Sequence, residues 1–219
     1  VTPLEKFLPY VLPHVVTCPN SLAEQEIRSV CIEFCSNTNA IQTTATQDLF
    51  AGTQDYDVDT PSQMTLSCVL NAFYGAAPLS PLPLDAIRYA TALTGETLGE
   101  DVPASGTPRA YFIKTPGAQA VSLYPVPDAT ATNKLTVRAS FAPSRTATSV
   151  DDVLFNDWVE VIAAGAIERL LLIPGQLFGD AKYAPTYAQK YRSGTNAAFI
   201  QARKGQLVSA SRVQPVSFV

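Results

Sequence analysis

The sequence has few of the side chains that do chemistry: one histidine, one tryptophan, one methionine and four cysteines in 219 residues. A Ser-His-Asp or Cys-His arrangement has only His14 to draw on, and that residue lies in Leu-Pro-His-Val beside a proline turn. It reads as a structural or surface histidine. A zinc site wants CxxC pairs or further histidines, and neither is present. There is no Walker A loop and no GxGxxG motif. No catalytic, cofactor-binding or metal residue is therefore assigned. Charge is scarce too, at 16% of residues, with a net charge of −4 and a pI near 5.0. This argues against gripping nucleic acid by charge alone, while leaving room for a local basic patch. Basic residues do not cluster with aromatics either. No charge-free apolar run reaches the ~20 residues of a membrane span, and the opening TPLEKF has no signal-peptide pattern.

What the chain has instead is apolar packing material, 47% of its residues, enough for one large domain or two small ones. The stretch Ser149–Gly175 predicts a helical spine of about 24 residues. Ser149 and Asp152 have capping-box spacing, and Phe155, Val159, Ile162, Ala166, Leu170 and Ile173 recur at the helical period. Trp158 widens that stripe, Gly165-Ala166 forms a small waist for close backbone approach, and Pro174-Gly175 stops the helix. Near the N-terminus, Thr2-Pro3-Leu4-Glu5 predicts a helix start, with Pro9 and Pro13 keeping that helix short or kinked. Ser21 and Glu24 suggest a second capping box on a helix over 22–36. Its stripe is Ile27, Val30, Cys31 and Phe34, with Glu24 and Arg28 on the solvated face. Asp180 can cap a last helix running to about Lys204. There Tyr183, Tyr187 and Tyr191 are spaced by four, which reads as core or subunit packing and not as a cofactor box.

From Ile41 the period becomes two. Residues 63–72 read as a half-buried strand, and 110–114, 120–124 and 134–141 as three more. Leu66, Leu70, Leu135 and Val137 are the expected core of an antiparallel module. Asp55, Asp57 and Asp59 echo the start of a calcium loop, but Thr60 replaces its glycine and Leu66 its bidentate glutamate, so a solvated strand face is the better reading. Residues 75–108 read as a long Pro/Gly loop with one short helix around 85–93. Cys18, Cys31, Cys35 and Cys68 read as free thiols used as small hydrophobes in a reducing compartment.

The expected fold is therefore α+β. A helical bundle of about four helices is interrupted by an inserted antiparallel β domain and followed by an extended C-terminal tail. Residues 1–42 and 144–205 make the discontinuous bundle, 43–143 the β domain with its 75–108 loop, and 206–219 the arm. In that arm Leu207, Val208, Val213, Val216, Phe218 and Val219 would be wasted on a free end, which marks them as partner-binding, the alternative being a tail that folds back on its own bundle.

Three blocks carry a family likeness: FLPYVLPHVVTCPNSLAEQEIRSVCIEFC at 7–35, VSLYPVPDATATNKLTVRASFAP at 121–143, and LFNDWVEVIAAGAIERLLLIPGQLFGDAKYAPTYAQKY at 154–191. In their order they resemble the head-to-tail adaptor (connector, or tail tubular A-type) proteins of short-tailed double-stranded DNA phages. The resemblance implies a homo-oligomeric ring, commonly a dodecamer, in the neck or tail of the virion and assembled in the host cytoplasm. It implies a place below the portal protein, extending the DNA channel, with tail nozzle or fibre proteins docked on it and DNA passing without specific binding. The arm's implied acceptor is the portal or a neighbouring subunit. Two readings of other classes stay open from the residues. One is a carbohydrate-binding or fibre-attachment module working through the β domain. The other is a hydrolase whose acids meet only in the fold.

Overall fold

The computed structural model describes residues 1–83, 105–115 and 117–204. The chain opens not on a helix but on β1 (Thr2–Pro3), paired antiparallel with β12 (Ser149–Val150). Thr2 therefore caps nothing. Its hydroxyl donates to the Asp152 carboxylate at 2.7 Å, and this bond is the first reason that carboxyl titrates below its usual range. Pro9 and Pro13 divide the next segment into short turns. A 3-10 turn over Leu4–Phe7 leads into α1 (Leu8–Val11) and then a second 3-10 turn over Leu12–His14. Leu4, Phe7, Leu8 and Val11 are all buried.

α2 (Asn20–Thr38) carries the expected stripe, with Ile27, Val30, Cys31 and Phe34 fully buried. Its start differs from the sequence reading. Pro19 takes the N-cap position in extended backbone without a side-chain cap, so the Ser21–Glu24 box does not form. Arg28 is not simply solvated, because its Nε donates to the Ala147 carbonyl at 2.6 Å. The helix ends on Asn39, left-handed at φ 53°, whose N–H bonds the Cys35 carbonyl at 2.9 Å. A short polar side chain tolerates that conformation.

The expected spine is the largest correction. Ser149 lies in a strand, Asp151 is the true N-cap with its carboxylate accepting from the Val153 N–H at 2.9 Å, and the helix is split. α3 (Asp152–Asn156) is followed by α4 (Val159–Leu171), with Trp158 between them outside helical geometry (φ −127°, ψ 11°). Packing explains the break. Phe155 meets Phe7 edge-on at 5.2 Å, while Trp158 turns onto Phe34 of α2 at 5.7 Å. In an unbroken helix residues three apart share one face, and these two rings serve different neighbours.

α5 (Ala184–Lys204) begins after Asp180, whose carboxylate instead accepts from the Lys182 N–H at 3.0 Å in the preceding turn. Two glycines let α4 approach its neighbours closely. A Cβ on Gly165 would sit 2.8 Å from Val30 and 2.9 Å from Tyr191, and one on Gly194 would sit 2.4 Å from Val161. The expected small waist therefore touches α2 and α5 at once.

Between α2 and β12 the described chain is strands and connections. One sheet has the order β2 (Gln42–Leu49), β11 (Ala131–Pro143), β4 (Met64–Tyr74), β5 (Ala77–Pro78), antiparallel throughout. A second runs β3 (Asp55–Asp57), β9 (Ala120–Tyr124), β8 (Ala110–Phe112), β6 (Ser80–Pro81). Here β6 lies parallel to β8, and β7 (Ser105–Gly106) lies parallel to β10 (Val126–Pro127), so the expected antiparallel arrangement fails in two short pairs. β5, β6 and β7 also fall within 75–108, which was expected to be loop, while the short helix expected around 85–93 lies outside the described residues.

β4 is bulged twice. Its partners step from Asn71 to Val69 opposite Arg138 and Ala139, and from Cys68 to Leu66 opposite Ser140 and Phe141. Each extra residue reverses the faces beyond it. Leu70 therefore loses its expected core position to Val69, while Leu66 packs partly buried and Leu135 and Val137 are buried as expected. Five α-helices and these sheets make a mixed α and β fold among the described residues. One apolar core joins Phe34, Ile162 and Leu170 of the helices to Leu49, Leu135 and Phe141 of the sheet.

Candidate functional site

Among the described residues, most of the chemistry-bearing side chains singled out in the sequence are held in structural contacts. His14 is exposed, and its Nδ1 lies 3.0 Å from the Tyr187 hydroxyl with the two rings edge to face. Burial pushes the Cys31 thiol up to about 12 and Cys35 well above its ordinary value, so neither offers a thiolate near neutrality. All four cysteines are free. For Asp55 burial acts upward, but bonds from Ser122 Oγ at 2.6 Å and Lys114 Nζ at 2.9 Å outweigh it and hold the carboxyl low. Asp57 is exposed on the same strand face, as the alternation requires. Among the described residues no group of three or more His, Cys, Asp or Glu gathers as a metal site.

What the fold offers is surface. The turn after α1 and the connection from α4 to α5 meet at one pole of the helices. There Val16, Leu172, Leu177 and Tyr183 are exposed, Leu177 by 95%. His14, Val16, Leu177, Phe178 and Tyr183 line one cleft of about 300 Å³ at this pole. Leu172 also lines a groove of about 710 Å³ between α4 and α5, together with Glu168, Ala184, Ala188 and Arg192. The tyrosine row enters the core only in part. Tyr191 is buried and Tyr187 half-buried, while Tyr183 is 56% exposed.

α5 also carries four cations and no acid from Ala184 to Lys204. Lys190 pairs with Glu160 at 3.2 Å, and Arg203 lies over the Phe199 ring at 4.4 Å. A second cleft, of about 280 Å³, lies where Trp158, Ala198 and Ala202 meet Gln42 and Arg138 of the sheet. Sequence reasoning missed Val16, Leu172 and Leu177, because a single apolar residue in a turn looks the same whether it is core or surface. Gly194 did leave a signal, since a glycine inside a helix costs about 1 kcal/mol against alanine and so suggests a packing reason.

The sequence-derived partner residues Leu207, Val208, Val213, Val216, Phe218 and Val219 lie outside the described residues. No helix among the described residues is long and apolar enough to cross a membrane. No curated protein matches the chain. A family model described as SU10 adaptor protein matches residues 21–215, and the chain belongs to that family, a phage adaptor with a structural role in the virion, in agreement with its resemblance to head-to-tail adaptors.

Proposed function

We propose that the chain is a non-enzymatic head-to-tail adaptor that assembles as a ring, commonly twelvefold in the adaptors it resembles. The ring sits below the portal, extends the DNA channel and gives tail nozzle or fibre proteins a platform. The observation that carries this reading is the family match over residues 21–215, nearly the whole chain. In this reading 1–42 and 144–205 act as the bundle, 43–143 as an inserted β domain and 206–219 as an arm. Leu207, Val208, Val213, Val216, Phe218 and Val219 engage the portal or the neighbouring subunit. A pI near 5.0 suits a conduit that lets DNA slide past without holding it. The apolar pole formed by Val16, Leu172, Leu177 and Tyr183 supplies a surface that solvent alone leaves unsatisfied. A glycan-binding reading would want exposed aromatics gathered on the sheet. Among the described residues of 42–143, Phe50 alone is a largely exposed aromatic.

The test is imaging of the purified full chain, alone and mixed with portal particles. Rings with a central hole, stacked on the portal, are expected. A protein that stays monomeric at high concentration with portal present overturns the reading.

A further inference from the structure

β2 is an edge strand. Among the described residues its one strand partner is β11, so alternate backbone N–H and C=O groups over Gln42–Leu49 lack a ladder partner on the other side. Natural sheets blunt such edges with proline, lysine or a bulge. β2 reads QTTATQDL, with no proline and no cation, and its pairing with β11 is regular from Gln42 to Gln47. Threonines at 43, 44 and 46 favour the extended backbone that another strand would need.

The same edge is where α5 ends. Gln42 Nε2 donates to the Ala202 carbonyl at 3.4 Å, two residues before the helix closes at Lys204. The remaining chain, GQLVSASRVQPVSFV, carries one charge, Arg212, and several strand-forming residues. Residues 206–213 match the eight residues of β2 in length. Pro215 has no N–H to give a ladder, which sets a natural end to pairing.

We infer that residues 206–213 of one copy add as a strand to the open β2 edge of a neighbouring copy, with Val216 and Phe218 packing beyond it. Main-chain hydrogen bonds supply the attraction in this mode, so no deep pocket is required. The choice of a neighbour over the same copy rests on the ring reading proposed above. A closed ring needs a heterologous contact, in which two different surfaces of one chain act as donor and acceptor. An arm and a strand edge are such a pair.

The test mixes two full-length single variants, Thr44→Cys and Ser209→Cys, under mild oxidation, with Ser211→Cys repeating it one pleat along. Thr44 is exposed, and each variant alone controls for the native cysteines. Disulfide-linked dimers from the mixture, absent with either variant alone, are expected. Truncation after Gly205 should raise the concentration for half-assembly by about tenfold or more, and an unchanged value overturns the inference. So does a disulfide forming within single copies of the Thr44→Cys/Ser209→Cys double variant while the mixture gives no dimer, because the arm then closes its own edge. Rings that form without either cross-link sink the inference and leave the ring reading standing. Absence of rings from the unaltered chain sinks the ring reading itself.

Discussion

Gly165 and Gly194 show what a missing side chain does at a helix contact. Alanine at either position gains helix propensity worth about 1 kcal/mol, but the added Cβ meets fixed neighbours. At Gly194 it would fall 2.4 Å from one methyl of Val161 and 2.6 Å from the other. A β-branched side chain has little freedom to move aside. Gly194→Ala should therefore destabilise by about 1–3 kcal/mol net, in the range of overpacking. Adding Val161→Ala should recover part of that loss, and a urea double-mutant cycle measures the coupling. Cys31 gives a prediction in pH. Its value is raised from 9.0 to about 12 in the fold, so its contribution to stability is complete below 9.0 and is lost as pH climbs toward 12. Cys35 acts in the same direction. Unfolding midpoints should fall across that window, and native-state alkylation should reach half-buried Cys68 before Cys31. At this scale the sequence was informative about burial. The α2 stripe and Leu135 with Val137 were legible from period alone, whereas the exposure of Leu177 and Tyr183 depends on a connection whose path no local pattern encodes.

Elements were legible in type and much less so in extent. The run from Phe155 to Leu170 keeps its helical period across the break at Trp158, because hydrophobic spacing records which side faces the core and not whether the backbone stays continuous. The break answers a tertiary demand, Phe155 toward Phe7 and Trp158 toward Phe34. Since the indole is only partly buried, Trp158→Ala should cost less than the about 3–5 kcal/mol of a fully enclosed aromatic. Blue-shifted tryptophan emission that turns red on unfolding would check its placement. The β4 bulges hid in the same way. Strict alternation assigns Leu70 to the core, and the inserted residue gives that place to Val69. Val69→Ala should accordingly lower the urea midpoint more than Leu70→Ala, although leucine is the larger side chain. The reverse order would mean that the register is not the bulged one.

For the whole molecule, the question is whether the β strands are a passenger on the helices or part of their core. The chain path invites the first view, because the region begins and ends at one place. The Phe141 N–H donates to the Ile41 carbonyl at 3.0 Å, so residues 43–140 could be replaced by a short Gly/Ser linker without stretching the backbone. The packing supports the second view. Phe34, Ile27 and Leu170 belong to the same buried cluster as Leu49, Leu135 and Phe141, and β11 is the strand on which α2 lies. Removing the strands would bare an apolar flank of α2, and burying apolar surface is worth about 25 cal/mol per Å². The linker variant should therefore keep helical circular dichroism but melt well below the full chain. The full chain should unfold in one transition, with Trp158 fluorescence and far-ultraviolet dichroism superimposing. Two separated transitions, or a linker variant as stable as the full chain, would make the strands a domain with a core of its own. In that case the adaptor's helices would hold together without them.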